Sequence, residues 1–197
     1  MTTLLPFLLF AFVSSITPGP NNILLTSSGI RFGFLRSIPH MFGVIAGFGV
    51  MLALCATGVG NLVMAMPSAD FLLRVVGSGY LIYLAWQLRN MRADGQDEGG
   101  SQPMSFGAAA LFQFANPKAW IMGITGAAAF LPPLQPAWLA VGVFCLLFSA
   151  VNLPCLGVWV ATGAVLRRYL RQERWRRLFC ALMIVATLYA AVSIWLR

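Results

Sequence analysis

Long apolar runs separated by short polar breaks organise the whole chain. Six runs can be drawn, at residues 4–30, 41–64, 69–88, 106–131, 136–166 and 178–196. A helix needs about 20 apolar residues to cross the ~30 Å hydrocarbon core of a bilayer, and each run reaches that length. The breaks between them fall at 31–40, 65–68 with Pro67, 89–105, 132–135 with Pro132-Pro133, and 167–177. The third break, with Asp94, Gly95, Asp97, Glu98, Gly99 and Gly100, is the one low-hydropathy linker. It divides the chain into a first three-helix repeat at 1–90, a cytoplasmic linker at 91–104 and a second three-helix repeat at 105–197. The pattern therefore predicts an all-α integral membrane fold of six transmembrane helices.

Two runs break the rules for an uninterrupted membrane helix. The first contains Thr17-Pro18-Gly19-Pro20-Asn21-Asn22 and the fourth contains Gln113-Phe114-Ala115-Asn116-Pro117-Lys118. Pro18 and Pro117 lie 99 residues apart, about half the chain, so the breaks occupy matching places in the two halves. Three spans per half would insert the second half upside down relative to the first. Broken helices one and four in a 3+3 inverted repeat are the pattern expected of a transporter that binds its solute near the midplane.

The chemistry of each break follows from proline. Its ring has no amide hydrogen and displaces the carbonyl four residues earlier. Pro18 and Pro20 thus free the carbonyls of Ser14 and Ile16, and Pro117 frees that of Gln113. A carbonyl without a partner costs several kcal/mol in lipid, so these must face protein, water or a ligand. Thr17 and Asn116 are suitable N-cap types, each followed by a proline that suits a first helical turn. The half-helix N-termini then offer amide donors and a positive dipole end to an anion. Freed carbonyls offer acceptors to a cation. Together they suit a zwitterion, with a free amino acid as the obvious candidate.

Lys118 sharpens this expectation. It is the only lysine in the chain and falls near mid-membrane, where a charge is costly and marks function. The substrate-binding set expected from the residues is Thr17, Pro18, Gly19, Pro20, Asn21, Asn22, Gln113, Asn116, Pro117 and Lys118. Asn61, Tyr80 and Asn152 are candidate cavity-lining groups, each of which would serve equally as an interhelical hydrogen bond. Gly43 and Gly47 have the spacing of a close helix contact, with a dimer interface as the alternative.

Composition and charge refine the picture. Only 9% of the 197 residues are charged, 59% are hydrophobic, and mean hydropathy is +0.82. A soluble domain carries about 25% charged residues, so most of this surface faces lipid. The net charge of +8 is a topology signal and not a nucleic-acid footprint, because 10 of the 13 basic residues fall in the first, third and fifth loops. That bias predicts cytoplasmic placement of those loops, with both termini on the periplasmic side of the inner membrane. The 4–16 stretch lacks the preceding basic residue and cleavage site of a secretory signal and is expected to belong to the mature chain. The four cysteines are scattered singly, so neither a zinc site nor a dithiol is expected, and no cofactor motif is present.

The TPGP run of residues 17–20, the NPK run of 116–118, the six spans and the polar central linker resemble the lysine-exporter/RhtB-type (LysE) family of amino acid exporters. The resemblance covers essentially the whole chain. Asn21-Asn22, the ILLTSSG that follows and Gln113-Phe114 look most like the cysteine/O-acetylserine exporter subgroup. This resemblance implies an inner-membrane exporter of small amino acids or close derivatives, driven by proton exchange, with a homodimer as a compatible assembly. No carboxylate falls near mid-membrane, so proton coupling would fall to Asp70, His40 or Lys118. A facilitator, an exporter of another solute or cation, and a non-transporting membrane subunit are the competing readings. An intramembrane enzyme is not expected, since no acid–base pair, metal constellation or activated nucleophile falls within the spans.

Overall fold

A computed structural model describes residues 4–60, 65–89, 102–169, 172–193 and 195. Asn61 and most of the linker lie outside the described residues, as do the side chains of Asp70 and Tyr80. Among the described residues the chain is all helix, without strands. Its α-helices are α1 (Leu4–Ile16), α2 (Pro20–Phe32), α3 (Ile38–Ala56), α4 (Pro67–Arg89), α5 (Phe106–Ala115), α6 (Pro117–Phe130), α7 (Ala137–Tyr169) and α8 (Glu173–Ser193). A 3-10 turn at Leu35–Ser37 leads into α3.

Among the described residues two segments are long and apolar enough to cross a membrane on their own, Leu35–Ala56 and Ala137–Tyr169. The α1–α2 pair, bent by 55° at its break, makes a third. Asn116 interrupts the fourth run, leaving α5 with 10 residues and α6 with 14. Arg74 lies inside α4, and α8 opens on the charged Glu173 to Arg177 turn. Large apolar side chains face outward along the bundle, among them Leu5, Leu111, Trp138, Leu146 and Val185. Such a surface is stable against hydrocarbon and not against water.

The two halves interleave. α2 packs along α7, α3 along α5, and α4 along α8, while α1 and α6 lean on α7 and α3 in turn. The closest crossings are built on glycine. A Cβ on Gly29 would overlap the Val160 carbonyl, and one on Gly163 would overlap the Thr26 carbonyl, so α2 and α7 approach backbone to backbone. Gly43 and Gly47 do the same for α3 against Phe106 and Ala110 of α5. The Gly43–Gly47 pair is therefore spent on a contact within this chain, as expected where small residues let membrane helices meet.

An aromatic cluster fills the space between α1, α3, α6 and α7. Phe7, Phe48, Phe144 and Phe148 are buried there, with Phe48 and Phe148 edge to face at 5.2 Å and Phe7 and Phe130 at 5.7 Å. Leu25, Met41, Val44, Leu156 and Val160 form a second core where α2, α3 and α7 meet. Pro154 is carried inside α7 without ending it.

Candidate functional site

Between the two cores the helix breaks face each other. α1 ends at Ile16, and α2 starts only at Pro20, with Gly19 as its N-cap in extended conformation (φ −168°, ψ 177°). This corrects the expectation that Thr17 caps the new half-helix. A residue before proline is pushed out of the α region, and both Thr17 and Gly19 precede one, so the helix resumes only after the second proline. In the other break Asn116 is the N-cap, its side chain accepting a hydrogen bond from the Lys118 amide at 3.1 Å, and Pro117 is the first helical residue.

The freed carbonyls do not stand open. Ser14 O accepts from Thr17 Oγ1 at 3.1 Å, and Gln113 O from the Asn116 amide at 3.1 Å. Trp159 reaches from α7 to donate its indole N–H to Ile16 O at 3.2 Å. Trp120 serves the second break in the same way, donating to Phe114 O at 3.0 Å. Asn22, 3% exposed, spends both amide hydrogens on the first break, on Ser15 O at 2.9 Å and Thr17 O at 2.8 Å. Each broken end is thus held by side chains.

Two contacts tie the breaks together. Asn21 and Gln113 exchange a reciprocal amide pair, Asn21 Nδ2 donating to Gln113 Oε1 at 2.8 Å and Gln113 Nε2 returning to Asn21 Oδ1 at 3.2 Å. Gln113 is wholly buried and also donates to Ala109 O at 2.8 Å. Lys118 crosses to the first break, where its Nζ donates to Thr17 O at 2.7 Å and Thr17 Oγ1 at 3.0 Å. Its stem lies over Gly19, so closely that a Cβ there would come within 2.7 Å of Lys118 Cδ. An ammonium has three N–H donors, and two are used.

These contacts leave a narrow cleft of about 30 Å³. A water needs ~10–15 Å³, so the cleft has room for about two and is smaller than an amino acid. Ser14, Ser15, Gly19, Asn21 and Asn22 line it from the first break. Asn116, Lys118, Ala119 and Met122 line it from the second, with Phe48 of α3 and Asn152 and Leu156 of α7 closing the sides. Thr17, Pro18, Pro20, Gln113 and Pro117 shape the breaks without lining the cleft. Asn152 is 5% exposed, and its amide makes no hydrogen bond among the described residues. Ser15 Oγ is buried and has no hydrogen-bond partner among the described residues either. Sequence reasoning missed Ser15 and the two tryptophans, because neither type stands out in an apolar run until its neighbours are known. No part of the cleft is formed by His40, which is buried in the first turns of α3 with neither ring nitrogen hydrogen-bonded among the described residues.

Comparison with known proteins agrees with this architecture. Residues 12–193 match the family model described as LysE type translocator. The cysteine/O-acetylserine efflux proteins of Escherichia coli K12 and of Shigella sonnei are each 34% identical over 197 residues, spanning 98% of this chain and 97% of the relative. No solved structure matches the chain. A match over nearly the whole length, on a helical chain with an outward apolar surface and two facing helix breaks, identifies a membrane transporter and not an enzyme: the chain belongs to the LysE type translocator family.

Proposed function

We propose that the chain exports small neutral amino acids or close derivatives from the cytoplasm by alternating access, with the cleft between the helix breaks as the substrate site. The observation that carries this reading is the meeting of both breaks at one polar cleft, bridged by Lys118. The efflux named for its relatives, of cysteine and O-acetylserine, supports the same substrate class.

Unspent hydrogen-bonding groups suggest how a zwitterion would sit. The third N–H of Lys118 and the side-chain Nδ2 of Asn116, which makes no hydrogen bond among the described residues, are donors for a carboxylate. The N-terminal dipole of α6 adds to them. Asn22 has committed its nitrogen but not its Oδ1. The Ser14, Ile16 and Gln113 carbonyls each already accept one protein donor, and Asn22 Oδ1 joins them as an acceptor for the ammonium. Because the cleft is smaller than an amino acid, the breaks must separate to load it, which favours an alternating mechanism.

The finer architecture belongs to the same proposal. Six spans in a 3+3 inverted repeat are supported by reciprocal packing: the first broken helix lies on α7, the second on α3, and α4 on α8. Both termini lie on the periplasmic side of the inner membrane, and a homodimer is compatible with the outward apolar surface. Proton exchange would energise export. His40, buried and without a hydrogen bond to its ring among the described residues, is the candidate carrier, and Asp70 lies on α4.

Efflux from preloaded vesicles tests the assignment. Lys118→Ala and Asn22→Ala should each lower the export rate at least tenfold at normal expression. Wild-type rates in both variants would remove the site.

A further inference from the structure

Among the described residues two polar groups in the cleft have no hydrogen-bond partner, Oγ of Ser15 and the side-chain amide of Asn152, on residues 3% and 5% exposed. They come from different halves, Ser15 from the last turn of α1 and Asn152 from the middle of α7, and both line the same small space. Leaving a buried polar group unpaired costs about 1–3 kcal/mol, and native proteins rarely accept it without a use. The neighbouring wall is apolar, with Phe48, Met122 and Leu156.

The chemistry restricts what would satisfy this pair. Ser15 offers one donor and an acceptor, and Asn152 offers two donors and an acceptor. A carboxylate would leave both acceptors idle and already has Lys118. An ammonium would leave the Asn152 nitrogen unpaired. A neutral group that both donates and accepts, held on a short apolar stem, satisfies both sides at once. Resting on the proposed export function and on the zwitterion placement above, we propose that Ser15 and Asn152 form the specificity subsite. They select amino acids with a short side chain ending in a neutral hydrogen-bonding group, over apolar isosteres.

Efflux from proteoliposomes, comparing L-serine with L-2-aminobutyrate, isolates the subsite, because the two substrates differ by a hydroxyl in place of a methyl. Wild type should favour serine by about tenfold, the scale of one or two hydrogen bonds. Asn152→Leu, close in shape and without polarity, should bring the two rates within about threefold while 2-aminobutyrate export persists. Ser15→Ala, which removes a single oxygen, should narrow the ratio in the same direction and decides the matter if Asn152→Leu loses both rates. An unchanged serine preference in Ser15→Ala and in any active Asn152→Leu protein would overturn the subsite while leaving export intact. So would a wild type that exports both substrates equally. A wild type that exports neither, nor any other amino acid, would instead remove the export function, and the subsite with it.

Discussion

Asn21 and Gln113 pair across 92 residues of sequence, and this amide exchange is the most direct link between the two breaks. Losing Asn21 leaves Oε1 of the wholly buried Gln113 without its donor, while Gln113 Nε2 keeps only Ala109 O. A double-mutant cycle of Asn21→Ala and Gln113→Ala, read by apparent melting temperature in detergent, should show a coupling of about 1 kcal/mol or more. Additive effects would mean that the pair is not a joint. His40 belongs to the same scale. Its buried imidazole has no hydrogen-bond partner among the described residues, so His40→Gln is expected to keep downhill export while abolishing the response to an imposed pH gradient in vesicles. A gradient response equal to wild type would exclude His40 as the carrier.

At the scale of elements, the fold rests on helix pairs that touch through glycine. Gly29, Gly43, Gly47 and Gly163 each face a partner backbone with no room for a methyl group, whereas Gly49 has nothing within 4 Å of a Cβ. Backbone cannot retreat as a flexible side chain can, so Gly47→Ala or Gly163→Ala should destabilise by about 1–3 kcal/mol. Gly49→Ala, on the same helix as Gly47, should be neutral or slightly stabilising because it removes the backbone freedom of glycine. Thermal unfolding of the two α3 variants side by side provides the comparison, and equal melting temperatures would refute the crossing. Gly19 differs from these positions. Its neighbour is the movable Lys118 stem, so Gly19→Ala is expected to disturb the Lys118–Thr17 bridge and lower export more than it lowers stability.

For the whole molecule, interleaving matters most. Each helix of the first half packs on one from the second, so the halves cannot move as separate beads on a linker. Opening the cleft must instead shift one broken helix with its partner against the other. The insertion proposed above has a direct check in reporter fusions. Alkaline phosphatase, active only outside the cytoplasm, should be active after residue 197 and inactive within the central linker. The opposite activities would invert the orientation and with it the direction of transport.

Membrane residence, the sites of both helix breaks and the single lysine beside the second break were legible in the sequence by itself. Apolar run length and proline's missing amide act locally, whatever the chain packs against. The family was legible too, through the TPGP and NPK runs. Which groups hold the broken ends was decided only in three dimensions. Trp159 reaches Ile16 from 143 residues away and Lys118 reaches Thr17 from 101, and no local propensity encodes such distances. The N-cap at Gly19 came out of competition between two prolines, and the occupied carbonyls out of side chains that tertiary packing delivered. Ser15 shows the limit most plainly. A serine in an apolar helix normally returns its hydroxyl to its own backbone, as Ser14 does to Phe10 O. That Ser15 does not, and lines the cleft with Asn152, depends on how α1 and α7 meet.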